Sequence, residues 1–188
     1  MVGNLLVAVP AMTLLLAGGA HLRSPRRLAE EVREQAVLPD WSIGALVVAL
    51  PLAEVLVGGS LLWVLAGGSS PNGNRIPLAV GVVLYIAIAG YATYVWKTVS
   101  ARGGVPVRCG CSSVGARMTE WVVIRAAVLT ASMAGAFVYV SVPGQMSLIQ
   151  SVVFVLASVT FTTLLWIIPG ALQSSGNRAH GGSDVVHG

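Results

Sequence analysis

Two cysteines separated by one glycine are the residues of this chain best suited to chemistry. They are Cys109 and Cys111, the only cysteines among 188 residues, and Arg108 precedes them directly. A thiolate is the nucleophile of disulfide exchange, and a neighbouring guanidinium favours the thiolate form. Gly110 gives the backbone the freedom to bring the two sulfurs together. A ring that small is strained, and strained disulfides are oxidising, so the pattern favours a redox-active thiol pair.

Two other interpretations of the cysteine pair stay open from the residues alone. A closed tetrahedral zinc site needs four ligands, and His21 is the only other soft ligand on a structured part of the same side, so a metal would require a second chain. The pair could also be two inert cysteines in a tight turn. We predict no metal site and find no cofactor motif; a quinone is compatible with the chain, but no residue pattern points to one.

The single cysteine pair also limits the electron path. A thiol oxidase that passes electrons to a quinone commonly relays them between two cysteine pairs, and this chain has one pair. The expected exchange is therefore direct, with a soluble partner of the thioredoxin type.

The composition is that of an integral membrane protein. Hydrophobic residues make up 55% of the chain and charged residues only 10%, whereas a soluble domain carries about 25% charged residues. The lipid bilayer is thus the expected environment, and the chain is expected to be a multi-pass membrane protein. No basic stripe alternates with aromatic residues, which argues against nucleic-acid binding.

Five apolar runs predict an all-α, polytopic membrane helical bundle with about five transmembrane helices. Each run has about the twenty residues needed to cross 30 Å of hydrocarbon, and in lipid the backbone groups must bond within their own segment. The first run is expected to be a retained span and not a signal peptide, since no Lys or Arg precedes it. The bundle is predicted as one domain over residues 1–172, followed by a disordered polar tail, 173–188. The runs cover about residues 4–20, 41–66, 77–99, 119–140 and 147–168.

Residues 24–38 predict a short amphipathic helix on the membrane surface. Ser24 suits an N-cap and Pro25 suits the first helical position. Both this helix and the 100–118 loop connect spans on the same side of an antiparallel bundle, so the helix is in a position to cover the cysteines. Its apolar residues repeat every four positions: Leu28, Val32 and Ala36.

Small residues in the spans predict where helices approach closely, because packing replaces the hydrophobic drive inside lipid. The second span carries Gly58 and Gly59, and the third carries Gly81, Ala89 and Gly90. The fourth carries a stripe at four-residue spacing, which consists of Ala127, Ala131 and Gly135.

One acidic residue, Glu54, lies in the middle of the second span. A charged side chain at that depth costs about 2.5–3.5 kcal/mol even on lenient scales, so it must face the bundle and find a donor. Arg125, near the start of the fourth span, and His21, at the end of the first, are the candidate partners. A buried structural ion pair is the favoured interpretation, and a proton acceptor coupled to the cysteines is the other.

The Lys and Arg residues predict an orientation. Nine lie on the side of the C-terminus and of the 100–118 loop with the two cysteines, called the thiol loop below, and Arg75 alone lies on the other side. Since positive charge collects in the cytoplasm, this count places the thiol loop and the C-terminus inside.

Three segments together resemble one family, the methylamine-utilisation membrane protein MauE. They are residues 16–25 followed by Leu38-Pro39, residues 51–54 with Gly58, and the pair Cys109 and Cys111 followed by Arg125. The resemblance covers about residues 5–140 and leaves 147–168 as an additional span. MauE is in turn related to the DoxX-type redox-associated membrane proteins.

The resemblance implies a small helical bundle that works with a thioredoxin-like partner in making or shuffling the disulfides of a redox enzyme such as methylamine dehydrogenase. Cys109 and Cys111 would then be catalytic, with Arg108, Glu54, Arg125 and His21 in support. That partner works outside the membrane, which opposes the charge count. The alternative is a non-catalytic assembly factor or subunit of a larger membrane complex, docking a partner through the 24–38 helix and the 100–118 loop.

Overall fold

Every element among the described residues is a helix. The computed structural model describes residues 2–66, 75–101, 120–139 and 156–164. Residues 156–164 form a further helical segment. The helices that precede it are α1 (Val2–Arg23), α2 (Pro25–Gln35), α3 (Asp40–Leu65), α4 (Arg75–Ala101) and α5 (Glu120–Tyr139).

Four of these helices, α1, α3, α4 and α5, are long and apolar enough to cross a membrane, counted over the ranges just given. The prediction of an all-α, multi-pass membrane bundle is confirmed. The predicted fifth span, 147–168, is described only in its helical centre. The predicted tail, 173–188, lies outside the described residues, and the single-domain prediction for 1–172 stays a prediction.

The spanning helices are antiparallel neighbours in the order α3, α1, α5, α4, with α4 also contacting α3. Gly18 of α1 lies against Glu54 of α3, whereas Ala11 lies against Gly58, so α1 and α3 run in opposite directions. In the same way Thr130 of α5 lies against Tyr85 of α4, with its hydroxyl 3.2 Å from the Tyr85 carbonyl oxygen, and Met133 lies against Gly81, so α4 and α5 also run in opposite directions. Helix α2, which connects α1 to α3, packs on both of them.

The core lies on the bundle axis, and large apolar side chains also cover the outside. Leu56 and Val138 are 71% and 72% exposed. This outer surface suits lipid, in which exposed apolar side chains cost nothing. All four spanning helices contribute to the central cluster, which contains Val7, Ala11, Leu14, Val57, Leu61, Leu78, Tyr85, Leu129, Met133 and Ala136.

The prediction of close approach is right for Gly58 of α3 and Gly81 of α4, and wrong for Gly59, Gly90 and most of the α5 stripe. A Cβ at Gly58 would lie 2.9 Å from the carbonyl oxygen of Ala11, and one at Gly81 would lie 2.8 Å from Cε of Met133. A Cβ at Gly59 or Gly90 would meet nothing within 4 Å. On α5, Ala127 and Ala131 are exposed. The buried positions on that helix are Val122, Arg125, Ala126, Leu129, Met133 and Ala136. A four-residue spacing defines a stripe, but several parallel stripes satisfy it, so spacing alone does not select the inward one.

Helix α2 begins and ends close to the predicted limits. Pro25 is its first residue, and Ser24 occupies the N-cap position without a side-chain capping bond. Leu28 and Val32 are buried against Ile43 of α3, as their spacing predicted. Ala36 is not part of the apolar face: it is exposed and ends the helix in the left-handed conformation, φ 49°. Gln35 is buried in its place.

Replacing Gly58 by Ala should destabilise the bundle by about 1–3 kcal/mol, because the new methyl group overlaps the backbone of α1. Gly59→Ala is the matched control and should be neutral or stabilising, since Ala is the better helix former. The measurement is the fraction of detergent-solubilised protein that stays monodisperse after graded heating. Equal losses in both variants would contradict the close contact between α1 and α3.

Candidate functional site

The predicted thiol pair falls in the connection between α4 and α5. Arg108, Cys109 and Cys111 lie within 102–119, outside the described residues. The ends of that connection are nevertheless placed. Val37, just after α2, packs against the buried cluster of Ala92, Val95 and Val122, together with Tyr91 and Val99. The thiol connection therefore leaves α4 and enters α5 at the end of the bundle where α2 lies.

A buried polar cluster reaches from that end to the middle of the bundle, and each spanning helix contributes one member. His21, Glu54, Tyr85 and Arg125 come from α1, α3, α4 and α5 and are between 2% and 9% exposed. His21 Nε2 lies 3.9 Å from Glu54 Oε2. Glu54, Tyr85 and Arg125 line one small cavity of about 50 Å³. The structure thus brings together the three residues predicted from the sequence, His21, Glu54 and Arg125, and adds Tyr85 to them.

The backbone of α1 determines how close Glu54 comes to His21. A Cβ at Gly18 would lie 3.0 Å from the Cβ of Glu54 and 2.9 Å from Val55, so only glycine permits this approach of α3. His21 follows Gly18 by three residues and therefore lies on the same face of α1. Gly18 allows the α3 backbone to come close to α1, and His21 then lies next to the carboxyl group of Glu54.

Tyr85 fixes α4 against the diagonally opposite helix. Its hydroxyl donates a 2.7 Å hydrogen bond to the carbonyl oxygen of Pro10 in α1. Its own carbonyl oxygen lies 3.2 Å from the Thr130 hydroxyl of α5, which makes a shorter bond of 2.8 Å to Ala126. The buried bond from Tyr85 to Pro10 contributes about 1 kcal/mol and, more importantly, fixes the register of the helices it joins.

A second, larger cavity lies beside the cluster, between α2, α3 and α4. Its volume is about 210 Å³, and its lining includes Glu54 and His21. Two further polar residues in the lining, Gln35 of α2 and Tyr91 of α4, are hydrogen-bonded to each other: the Tyr91 hydroxyl donates to Gln35 Oε1. Glu54 therefore borders both cavities and joins the buried cluster to the space under α2.

The family model described as methylamine utilisation protein MauE matches residues 1–141. The chain belongs to the MauE family. No curated protein and no solved structure matches it. The family match covers all four spanning helices, α2 and the segment with the two cysteines, and it ends before the helical segment 156–164.

This MauE-family protein is therefore a multi-pass membrane protein with a buried polar cluster, to which each of the four spanning helices contributes one side chain. The roles predicted for Cys109, Cys111 and Arg108, and the supporting roles of His21, Glu54 and Arg125, stay predictions, as does the orientation in the membrane. Sequence reasoning missed the buried Gln35 and its bond to Tyr91. The helical spacing of α2 indicates that Gln35 is buried, since Leu28, Val32 and Gln35 lie on one face at i, i+4 and i+7.

His21 and Glu54 should be energetically coupled. In a double-mutant cycle with His21→Asn and Glu54→Gln, we expect the two losses to be non-additive by about 0.5–3 kcal/mol, because each side chain is a partner of the other. Unfolding by a denaturing detergent measures the stabilities. The control cycle pairs Glu54→Gln with Arg75→Gln, at the exposed first residue of α4. A coupling no larger than in this control would refute the interaction.

The Tyr91–Gln35 bond should hold α2 against the bundle. In Tyr91→Phe we expect trypsin to cleave α2 about fivefold faster, since the loss of about 1 kcal/mol raises the population of the open form by that factor. The cleavage sites are the arginines of α2, Arg26, Arg27 and Arg33. The control is Tyr94→Phe, because Tyr94 lies three residues further along α4 and is 59% exposed. If both variants are cleaved at the wild-type rate, the bond does not hold α2.

Proposed function

We propose that this MauE-family membrane protein exchanges thiols and disulfides with a thioredoxin-like protein through Cys109 and Cys111. The observation that carries the proposal is the position of the helix ends on either side of the pair: the only cysteines of the chain lie between α4 and α5, whose adjoining ends are at the α2 end of the bundle. A soluble partner would meet the protein at this end without entering the bilayer. Family membership supports the proposal because the matched residues include both cysteines.

The exchange uses two sulfurs in turn. The thiolate of one cysteine attacks the disulfide of the partner, so that a mixed disulfide forms and one partner sulfur leaves as thiolate. The second cysteine then attacks the mixed disulfide, which releases the partner as a dithiol and leaves the Cys109–Cys111 disulfide. Arg108, adjacent in sequence, favours the attacking thiolate. In the reverse direction the same steps deliver a disulfide to a reduced partner.

The buried cluster has a structural part in this proposal. His21, Glu54 and Arg125 belong to three helices and hold them in register below the thiol connection. The partner's own substrate would be an enzyme that needs disulfides, such as methylamine dehydrogenase. The protein would act in a bacterial cytoplasmic membrane, with the pair on whichever side the partner occupies.

The test is to trap the mixed disulfide. A purified thioredoxin-like protein that lacks its resolving cysteine is first activated, so that its remaining sulfur carries thionitrobenzoate as a mixed disulfide. It is then incubated with Cys109→Ser or Cys111→Ser, whose remaining thiolate displaces thionitrobenzoate. Non-reducing electrophoresis with mass spectrometry detects the adduct. We expect one single variant to accumulate a stable adduct, because the cysteine that would resolve it is missing. The double variant is the control and should give none. Absence of an adduct in both single variants would refute the exchange.

A second function is favoured by the outer face of α2. This face is charged and exposed beside the thiol connection, and it carries Arg26, Glu30, Arg33 and Glu34. Such a face suits a non-catalytic assembly factor that docks a partner through residues 24–38 and 100–118. Co-purification of the partner with variants of this protein distinguishes the two functions. Docking without exchange predicts that the partner still co-purifies when both cysteines are replaced. It also predicts that the partner is lost in the double variant Arg26→Glu with Arg33→Glu.

A further inference from the structure

The 210 Å³ cavity between α2, α3 and α4 has the features of a binding site for a small membrane-soluble molecule. All five helices contribute to its lining, and α2 covers it with Leu28, Val32 and Gln35. An apolar cavity of about 150 Å³ is large enough to bind benzene. The space here therefore admits one substituted six-membered ring.

The α3 and α4 walls of the cavity are apolar. Leu46 and Leu50 of α3 and Leu84 and Ala87 of α4 line it, and all four are at least partly exposed. Leu50 is ten residues, or about 15 Å, from the start of α3, which is well within the span. Apolar walls at this depth favour a ligand that dissolves in the hydrocarbon.

The lining combines apolar walls with a few polar groups. Nine of its thirteen residues are apolar, and the polar ones are His21, Glu54, Gln35 and Tyr91. Ligand sites typically have this composition, in which a few polar groups fix the orientation of a largely apolar molecule. Amide and imidazole N–H groups are donors for carbonyl oxygens. The carboxyl group of Glu54 would oppose an acidic lipid or a fatty acid, which favours a neutral ligand.

We propose that this cavity binds the head group of a quinone, with the ring beside His21, Glu54 and Gln35 and the isoprenoid chain leaving between α3 and α4. A quinone is a neutral, six-membered ring with two carbonyl acceptors, it dissolves in the bilayer, and its reduction needs proton-carrying groups nearby. His21 and Glu54 are such groups and are 3.9 Å apart.

The quinone would also complete the electron balance of the exchange, and this part rests on the function proposed above. Oxidation of the two thiols of Cys109 and Cys111 forms one S–S bond and releases two electrons and two protons. A quinone takes up both electrons and both protons and becomes a quinol. A single cysteine pair suffices if it is oxidised by the quinone and then reduced by the partner. Val122, the third residue of α5, lines the cavity close to the thiol connection.

The experiment measures binding of decylubiquinone and of menadione to the full-length protein in nanodiscs, by quenching of tryptophan fluorescence. We expect saturable binding of at least one of them. Leu50→Trp fills the cavity and should weaken that binding at least tenfold. Leu52→Trp, two residues away on the same helix and 47% exposed to the outside, is the matched control and should change it less than twofold. No saturable binding of either quinone, or equal binding in both variants, would overturn the proposal.

A second measurement on the unaltered protein remains decisive if Leu50→Trp does not fold. A photoreactive azidoquinone is cross-linked in nanodiscs, and the labelled peptides are identified by mass spectrometry. Labelling within 46–54 or 84–92, removed by excess decylubiquinone, supports the site; labelling elsewhere or without competition overturns it.

Quinone binding should be unchanged in the double variant Cys109→Ser with Cys111→Ser. Failure of thiol exchange and failure of the quinone site therefore give different results.

Discussion

The structure depends on burying one carboxyl group, that of Glu54, inside a membrane-spanning bundle. Such a group is tolerated only where polar partners replace water. Each of the other spanning helices contributes one polar side chain to the surroundings of Glu54: His21 lies 3.9 Å away, Arg125 lines the same small cavity, and Tyr85 also lines it while its hydroxyl donates to Pro10. Because lipid provides no hydrophobic drive for helix association, these few polar contacts and the close approach at Gly18 fix which helix faces which.

Helix α2 links the membrane interior to the water boundary. Its inner face, with Leu28 and Val32, packs on α3, while Gln35 accepts a hydrogen bond from Tyr91 of α4. Its outer face is charged. The helix thus closes the larger cavity and lies at the end of the bundle that carries the thiol connection. A partner that binds the outer face and displaces α2 would also change access to the space beside Glu54.

The sequence predicted the elements well and their contacts unevenly. Length and apolar content located the spanning helices, and the cost of a buried charge correctly singled out Glu54, because both signals are local. The contacting face of α5 was predicted wrongly at Ala127 and Ala131, since which stripe faces inward depends on the rotation of a helix against its neighbours. The cavity was not predictable, because it arises from five helices that pack incompletely, and no single segment encodes a space.

The position of the polar residues bears on why one cysteine pair can suffice. A relay of two pairs is needed when the electron acceptor and the soluble partner are far apart. Here α5 begins at Glu120 and already lines the larger cavity at Val122, and that cavity extends inward to Glu54. The connection that carries the cysteines therefore ends within one helical turn of this cavity, while α2 beside it has a charged outer face. In the reaction proposed above, the quinone and the thioredoxin-like protein would approach the same end of the bundle, and one pair at that end would serve each in turn.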